Sequence, residues 1–140
     1  MKRILLASLI VSGLSACTTT VPQQQRAQAA ASATPYRPLS PNDLTLGGYS
    51  TTGGIDNIFT VAFLGNPATP AETIKDSALY RAAEVTINSG NRYFTILDSF
   101  SESYSISRGV AYRIYCHNEF LPEAIDAAQL MNVIGNSYRS

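Results

Sequence analysis

Ile55-Asp56-Asn57-Ile58-Phe59-Thr60-Val61-Ala62-Phe63-Leu64-Gly65-Asn66-Pro67-Ala68-Thr69-Pro70-Ala71-Glu72 carries a strand, its stop and the start of a helix in one continuous stretch. Phe59, Val61 and Phe63 alternate with Thr60 and Ala62, the period of a strand with one buried face. Gly65-Asn66-Pro67 ends that strand. Thr69-Pro70-Ala71-Glu72 has capping-box spacing, with Pro70 at the first helical position. The helix is predicted to run to Ser89 and stop at Gly90, with Ala71, Ile74, Ala78, Ala82 and Val85 as its apolar stripe, flanked by Leu79 and Thr86. The small alanines allow it to lie close on a sheet.

Upstream, Leu46 to Thr52 is a second strand-like run, and Gly53-Gly54 supplies the positive φ angles of a tight antiparallel hairpin. Downstream, Arg92 to Asp98 reads as a strand with Phe94 and Ile96 on one face. The order strand, helix, strand predicts a right-handed parallel crossover. Ser99 to Arg108 is a serine-rich connection. In the next strand Val110, Tyr112, Ile114 and Cys116 share one face, while Ala111, Arg113, Tyr115 and His117 share the other. A last helix is expected from Pro122 to Ile134, with Ala124, Ala127, Ala128, Met131 and Ile134 inward and Gly135 past its end. The expected domain, residues 46–138, is α+β: a two-layer sandwich ordered ββαββα, with a mixed sheet of about four strands and two helices.

The chain has 140 residues, 45% hydrophobic and only 14% charged, so Ser, Thr, Asn and Tyr supply much of its polarity. One domain fits this length once a leader and a tether are set aside. Lys2 and Arg3 precede an apolar run, Ile4 to Leu14, too short to span a bilayer but suited to a signal-peptide core. It ends in Leu14-Ser15-Ala16-Cys17, which resembles the lipobox of bacterial lipoproteins. An ordinary secretory cut would want a small residue where Leu14 stands. Residues 1–16 are therefore read as a lipoprotein signal peptide cut between Ala16 and Cys17.

The lipobox resemblance implies acyl chains on Cys17, hence attachment to membrane lipid without a transmembrane helix. By the same analogy, Thr18 in place of an acidic residue implies the outer membrane, with the domain facing the periplasm. Loss of the leader leaves 8 basic against 10 acidic residues, with no basic stripe of the kind that meets nucleic acid. Residues 17–45 are rich in Thr, Gln, Ala and Pro and are expected to form a flexible tether reaching some 25 to 30 Å. A transient helix over Gln23 to Ala31 stays open as an alternative.

Gly48-Tyr49-Ser50, Val61-Ala62-Phe63-Leu64-Gly65-Asn66 and Leu79-Tyr80-Arg81-Ala82-Ala83-Glu84-Val85-Thr86, with Gly90 and Phe94 beyond them, resemble a family of small Gram-negative lipoproteins of unknown function. The likeness extends to Thr34-Pro35-Tyr36 and Ile125-Asp126-Ala127-Ala128, and departs at Asn91 and in the serine-rich stretch from Ser99. It implies lipidation and an envelope location; it implies no catalytic residue.

Cys116 and His117 adjoin, and a thiolate beside an imidazole is a common activated nucleophile. Neighbours in a strand point to opposite faces, however, so Cys116 is expected in the core. One histidine and one available thiol are too few for a zinc site, and neither metal nor cofactor is expected. Glu72, Asp76 and Glu84 are explained by capping, by solvent and by an Arg81 partner. Glycines 47, 48, 53 and 54 lack a following Lys-Ser/Thr and read as turns, not as a phosphate loop.

What remains is a second sheet face on which Tyr49, Tyr93, Leu97 and Tyr115 gather with Arg113, a mixture enriched in protein interfaces. The competing reading has the last helix covering that face. The leading expectation is a non-enzymatic module that docks another envelope protein. The alternatives are a small-ligand or envelope-polymer binding module, and a hydrolase using Cys116 or a serine between Ser99 and Ser107.

Overall fold

The computed structural model describes residues 33–42, 44–103 and 107–137. The leader, the Ala16/Cys17 junction and the tether up to residue 32 lie outside the described residues. In chain order the elements are β1 (Gly48–Ile55), β2 (Ile58–Gly65), α1 (Ala71–Asn88), β3 (Tyr93–Ser103), β4 (Arg108–His117), β5 (Ile125–Asp126) and α2 (Ala127–Ser137), with a 3-10 turn at Leu44–Leu46.

The fold is α+β, two helices on one sheet, as the residue pattern predicts. The sheet has five strands in the order β1-β2-β4-β3-β5 and is antiparallel throughout, not mixed. β4 returns between β2 and β3, so these two run in the same direction without pairing, and the expected parallel crossover is split.

The β1–β2 hairpin turns at Asp56-Asn57, whose φ angles of 53° and 58° are those of a type I′ turn. Gly53 and Gly54 instead lie within β1, where the register shifts between Gly53 and Ile55. β3 also extends to Ser103, so much of the serine-rich stretch is strand, paired with Arg108 to Tyr112. A second shift, at Leu97, separates the pairs Ile96/Ile114 and Asp98/Arg113.

α1 ends as the sequence predicts. Gly90, at φ 79°, donates to Ile87 O, and the Asn91 amide reaches Thr86 O, which together make a Schellman motif. Its start differs. Pro70 is the N-cap residue and no side chain caps the helix. Thr69 Oγ1 accepts instead from the Thr34 amide at 2.8 Å and lies 2.9 Å from Asn66 Oδ1, to which it donates. The stripe Ile74, Ala78, Ala82 and Val85 is buried with Ala83, whereas Ala71 is exposed.

The helix layer covers one sheet face. Val61, Ala82, Ala83, Val85, Phe94, Ile114, Cys116 and Ala127 form one buried cluster; Phe63, Ile74, Ala78 and Val110 form the other. Burial of each large side chain among them contributes about 1.5–3 kcal/mol.

The last helix is shorter than expected, because Ile125 and Asp126 pair with Phe94 and Tyr93 as β5. Ala127, Met131 and Ile134 do face inward, Ala128 is exposed, and Gly135 lies inside the helix. Asp126 caps it, its Oδ1 accepting from the Gln129 amide at 3.0 Å. That amide above all, with Arg92 assisting, holds the Asp126 carboxyl below the usual carboxylate range. Asp126→Ala is expected to cost about 0.5–2 kcal/mol near neutral pH. A lowered folded pKa gives stability that is present above the unfolded value and lost as pH falls through the folded one. The gap between wild type and variant in urea melts should therefore close below about pH 4.

Candidate functional site

α1 and α2 both pack on the side of Phe63, Phe94, Ile114 and Cys116. Among the described residues no helix covers the centre of the opposite face. Strand alternation and pairing place Ser50, Thr60, Ala62, Leu64, Ala111, Arg113, Tyr115, Thr95 and Phe100 there. Phe100 is 56% exposed, Leu97 45% and Tyr115 38%. The helix that was to cover this face lies against α1 instead.

Four of the five expected face residues, Tyr93, Leu97, Arg113 and Tyr115, are on this side, with Leu97 as the extra residue of the β3 bulge. Tyr49 is not. It sits directly opposite Phe63, and cross-strand partners share a face, here the helix side. The bulge near Gly54 is responsible, because one inserted residue exchanges the faces of everything beyond it.

At one end of the open face, aromatic rings crowd a buried imidazole. His117 is 6% exposed, lies 5.2 Å from the Tyr115 ring and 6.3 Å from that of Tyr93, and Phe120 meets Tyr93 edge-on at 5.8 Å. Glu119 O can only accept, so His117 Nδ1–H donates to it at 2.8 Å. Nε2 then accepts from the Thr95 hydroxyl at 2.9 Å. Hydroxyl, imidazole and carbonyl form an ordered chain that ties the ends of β3 and β4 to the backbone at Glu119. Cys116, the other half of the dipeptide, is in the core on the far side. Thr86 gives its own proton to Ala82 O, so the thiol donates to Thr86 Oγ1 at 3.3 Å. Burial pushes the Cys116 thiol up from its ordinary range, the reverse of an activated nucleophile.

The middle of the face carries Arg113 paired with Asp98 at 3.6 Å, both about half exposed. At the far end a groove of about 400 Å³ is lined by Ser50, Ala62, Leu64, Phe100, Gly109 and Ala111, with Leu39 of the N-terminal segment at its edge.

A second arrangement went unread in the sequence. Residues 34–39, assigned above to the tether, are bound to the domain as a strap. The Asn66 amide donates to Thr34 Oγ1 at 3.0 Å, the Tyr49 amide to Arg37 O and the Leu39 amide to Tyr49 O, each of the last two at 2.7 Å. The Tyr36 ring packs 4.7 Å from Tyr49 and 5.2 Å from Tyr80, and its hydroxyl donates to Glu84. Arg81 donates to the same carboxylate at 3.0 Å and to Thr51 at 2.9 Å while lying 4.4 Å above the Tyr49 ring. Glu84 is therefore the hub of a half-buried clamp and not part of a solvated helix face. Burial first, and the bond to Glu84 second, raise the Tyr36 phenol above its ordinary range.

Glycines at 47 and 48 admit the strap: a Cβ on Gly48 would stand 2.6 Å from Arg37 O. The sequence held one signal, Thr34-Pro35-Tyr36 standing apart from an otherwise featureless tether. Gly48-Tyr49, Asn66 and Arg81 to Glu84, distant in sequence, converge on this clamp. Beside it a cleft of about 510 Å³ opens between Pro35, Tyr36, Thr73, Ser77, Tyr80 and Gly135.

Among the described residues, no group of three or more His, Cys, Asp or Glu is placed to hold a metal ion. No described helix is long and apolar enough to cross a membrane. In comparisons with known proteins, the chain matches no family model, no curated protein and no solved structure.

Proposed function

We propose that this chain is an envelope lipoprotein, attached to membrane lipid by acyl chains on Cys17 on the periplasmic side of the outer membrane. Its domain is a non-enzymatic module that docks a protein partner. The lipobox-like Leu14-Ser15-Ala16-Cys17 and the family resemblance support the anchor. The docking role is carried by one observation: a sheet face open among the described residues that exposes Leu97, Phe100 and Tyr115 together. Large apolar side chains gathered on one uncovered face are the usual mark of an interface.

Cys17→Ser is expected to shift the protein from the membrane to the soluble fraction, with no fatty acid on the mature N-terminal residue. In cells, Tyr93→Ala combined with Tyr115→Ala should remove the adducts formed by a crosslinker placed on the domain. Adducts unchanged in the double variant would refute the docking face. The cleft at Tyr36 and Tyr80 favours a second reading, a small-ligand or envelope-polymer module. It ranks lower because Thr34, one of its polar groups, is already engaged by Thr69 and Asn66.

A further inference from the structure

The geometry points to a second copy of this chain as the occupant of the open sheet face, the two sheets stacking face to face about a two-fold axis. This rests on the docking reading and names its partner. Three features of the face select a copy of itself.

Shape is the first. A two-fold interface uses the same patch twice, so a patch that fits itself must carry a projection and a matching hollow side by side. Phe100 projects from β3, more than half exposed, directly across from Ala111. Next to it the groove of about 400 Å³ is lined by the small residues Ser50, Ala62, Gly109 and Ala111 together with Leu64 and Phe100 itself. Each Phe100 can enter the hollow of the other copy, and Ser50, Ala62 and Ala111 leave room there for the two sheets to approach to about the usual 10 Å.

Charge is the second. Arg113 and Asp98 are opposed in register near the middle of the face, 3.6 Å apart, and Glu102 stands at the groove's edge. A face with both signs in contact offers no strong field to an acidic or basic macromolecule. It does complement a copy of itself, since each Arg113 can also meet the other copy's Asp98.

Area is the third. Four paired strands of about eight residues span roughly 19 by 26 Å, near 500 Å² for each copy. The total of about 1,000 Å² is at the low end for a specific interface, so the dimer should be reversible.

The test uses the full chain with Phe100 replaced by the photo-crosslinking residue benzoylphenylalanine. Irradiation in cells, and of the purified protein in detergent, is expected to give an adduct of twice the chain mass whose linked peptides both come from this sequence. Adding Ala62→Arg or, separately, Ser50→Arg should reduce that adduct about tenfold or more by placing a buried, unpaired charge at the contact. Thermal melts matching the parent would show that both variants fold. An adduct with a different protein alone would overturn the second copy and leave the docking reading intact. Absence of any adduct from position 100, and from the same probe placed instead at position 115, would overturn both. A self-adduct indifferent to both arginine variants would overturn the proposed geometry.

Discussion

Phe94→Ala should lower the stability of the domain by about 3–5 kcal/mol, a drop in Tm of roughly 15–30 °C for a domain of this size. The Phe94 ring is fully buried, in a cluster with Val61, Ala82, Ile114, Cys116 and Ala127. Truncation leaves a cavity lined on one side by small alanines and on the other by strand residues held in register, and neither side can collapse to fill it. A domain whose whole stability is about 5–15 kcal/mol could lose most of its margin. Phe100→Ala, six positions along the same strand, should change stability by less than about 0.5 kcal/mol when measured at sub-micromolar concentration, where open faces are unpaired. Urea denaturation of the two variants side by side provides the check. Equal losses would mean that Phe100 is also in the core and that the β3 bulge is misplaced.

Gly47→Ala should destabilise the domain by about 3 kcal/mol or more. Gly90→Ala is its control, at about 1 kcal/mol. Both glycines have left-handed backbones, with φ of 71° and 79°. Alanine at either site therefore incurs the same cost of a side chain at positive φ, of order 1 kcal/mol. A Cβ at position 90 would meet nothing within 4 Å, whereas at position 47 it would lie 2.3 Å from Leu64 O and 2.8 Å from Thr34 Cγ2. Backbone at the end of β2 and the first residue of the strap must both move. Hydrogen exchange should show the Leu39 and Tyr49 amides losing protection in Gly47→Ala, because those two bonds tie the strap to β1. A Gly47→Ala variant no worse than Gly90→Ala, with both amides still protected, would mean that the strap is not docked as described.

Much of this molecule was legible residue by residue. Phe59, Val61 and Phe63 announced β2 by their alternation, and Ile74, Ala78, Ala82 and Val85 announced the inner face of α1. Gly90 fixed the end of α1, and Cys116 was assigned to the core because its neighbour His117 had to point the other way. These are local facts, set by strand period, helix period and the conformational freedom of one glycine. The Thr69-Pro70-Ala71-Glu72 capping box was legible too, but it did not form. Thr69 could cap a helix or anchor Thr34, and a partner 35 residues away in sequence took it.

The candidate site was less legible, and for one physical reason. Alternation assigns a face to every strand residue only until a residue is inserted; Gly53-Gly54 fits a turn as well as a bulge, and nothing local in Ile96-Leu97-Asp98 marks an insertion. The bulge in β1 turned Tyr49 inward beneath Arg81, and the bulge in β3 turned Phe100 outward, although unbroken alternation would have grouped it with Phe94. The strap was not legible because its hydrogen bonds run to Tyr49, Asn66 and Thr69, 10 to 35 residues away, and follow no local period. The amino-acid order by itself determined β2, β4, the end of α1 and the apolar side of that helix, but not the extension of β3 through Ser103 or the pairing of Ile125 and Asp126 as β5. Tertiary structure alone decided where pairing slipped by one residue, and so which aromatic rings were buried and which were left exposed, because register is a property of two strands and cannot be read from either one.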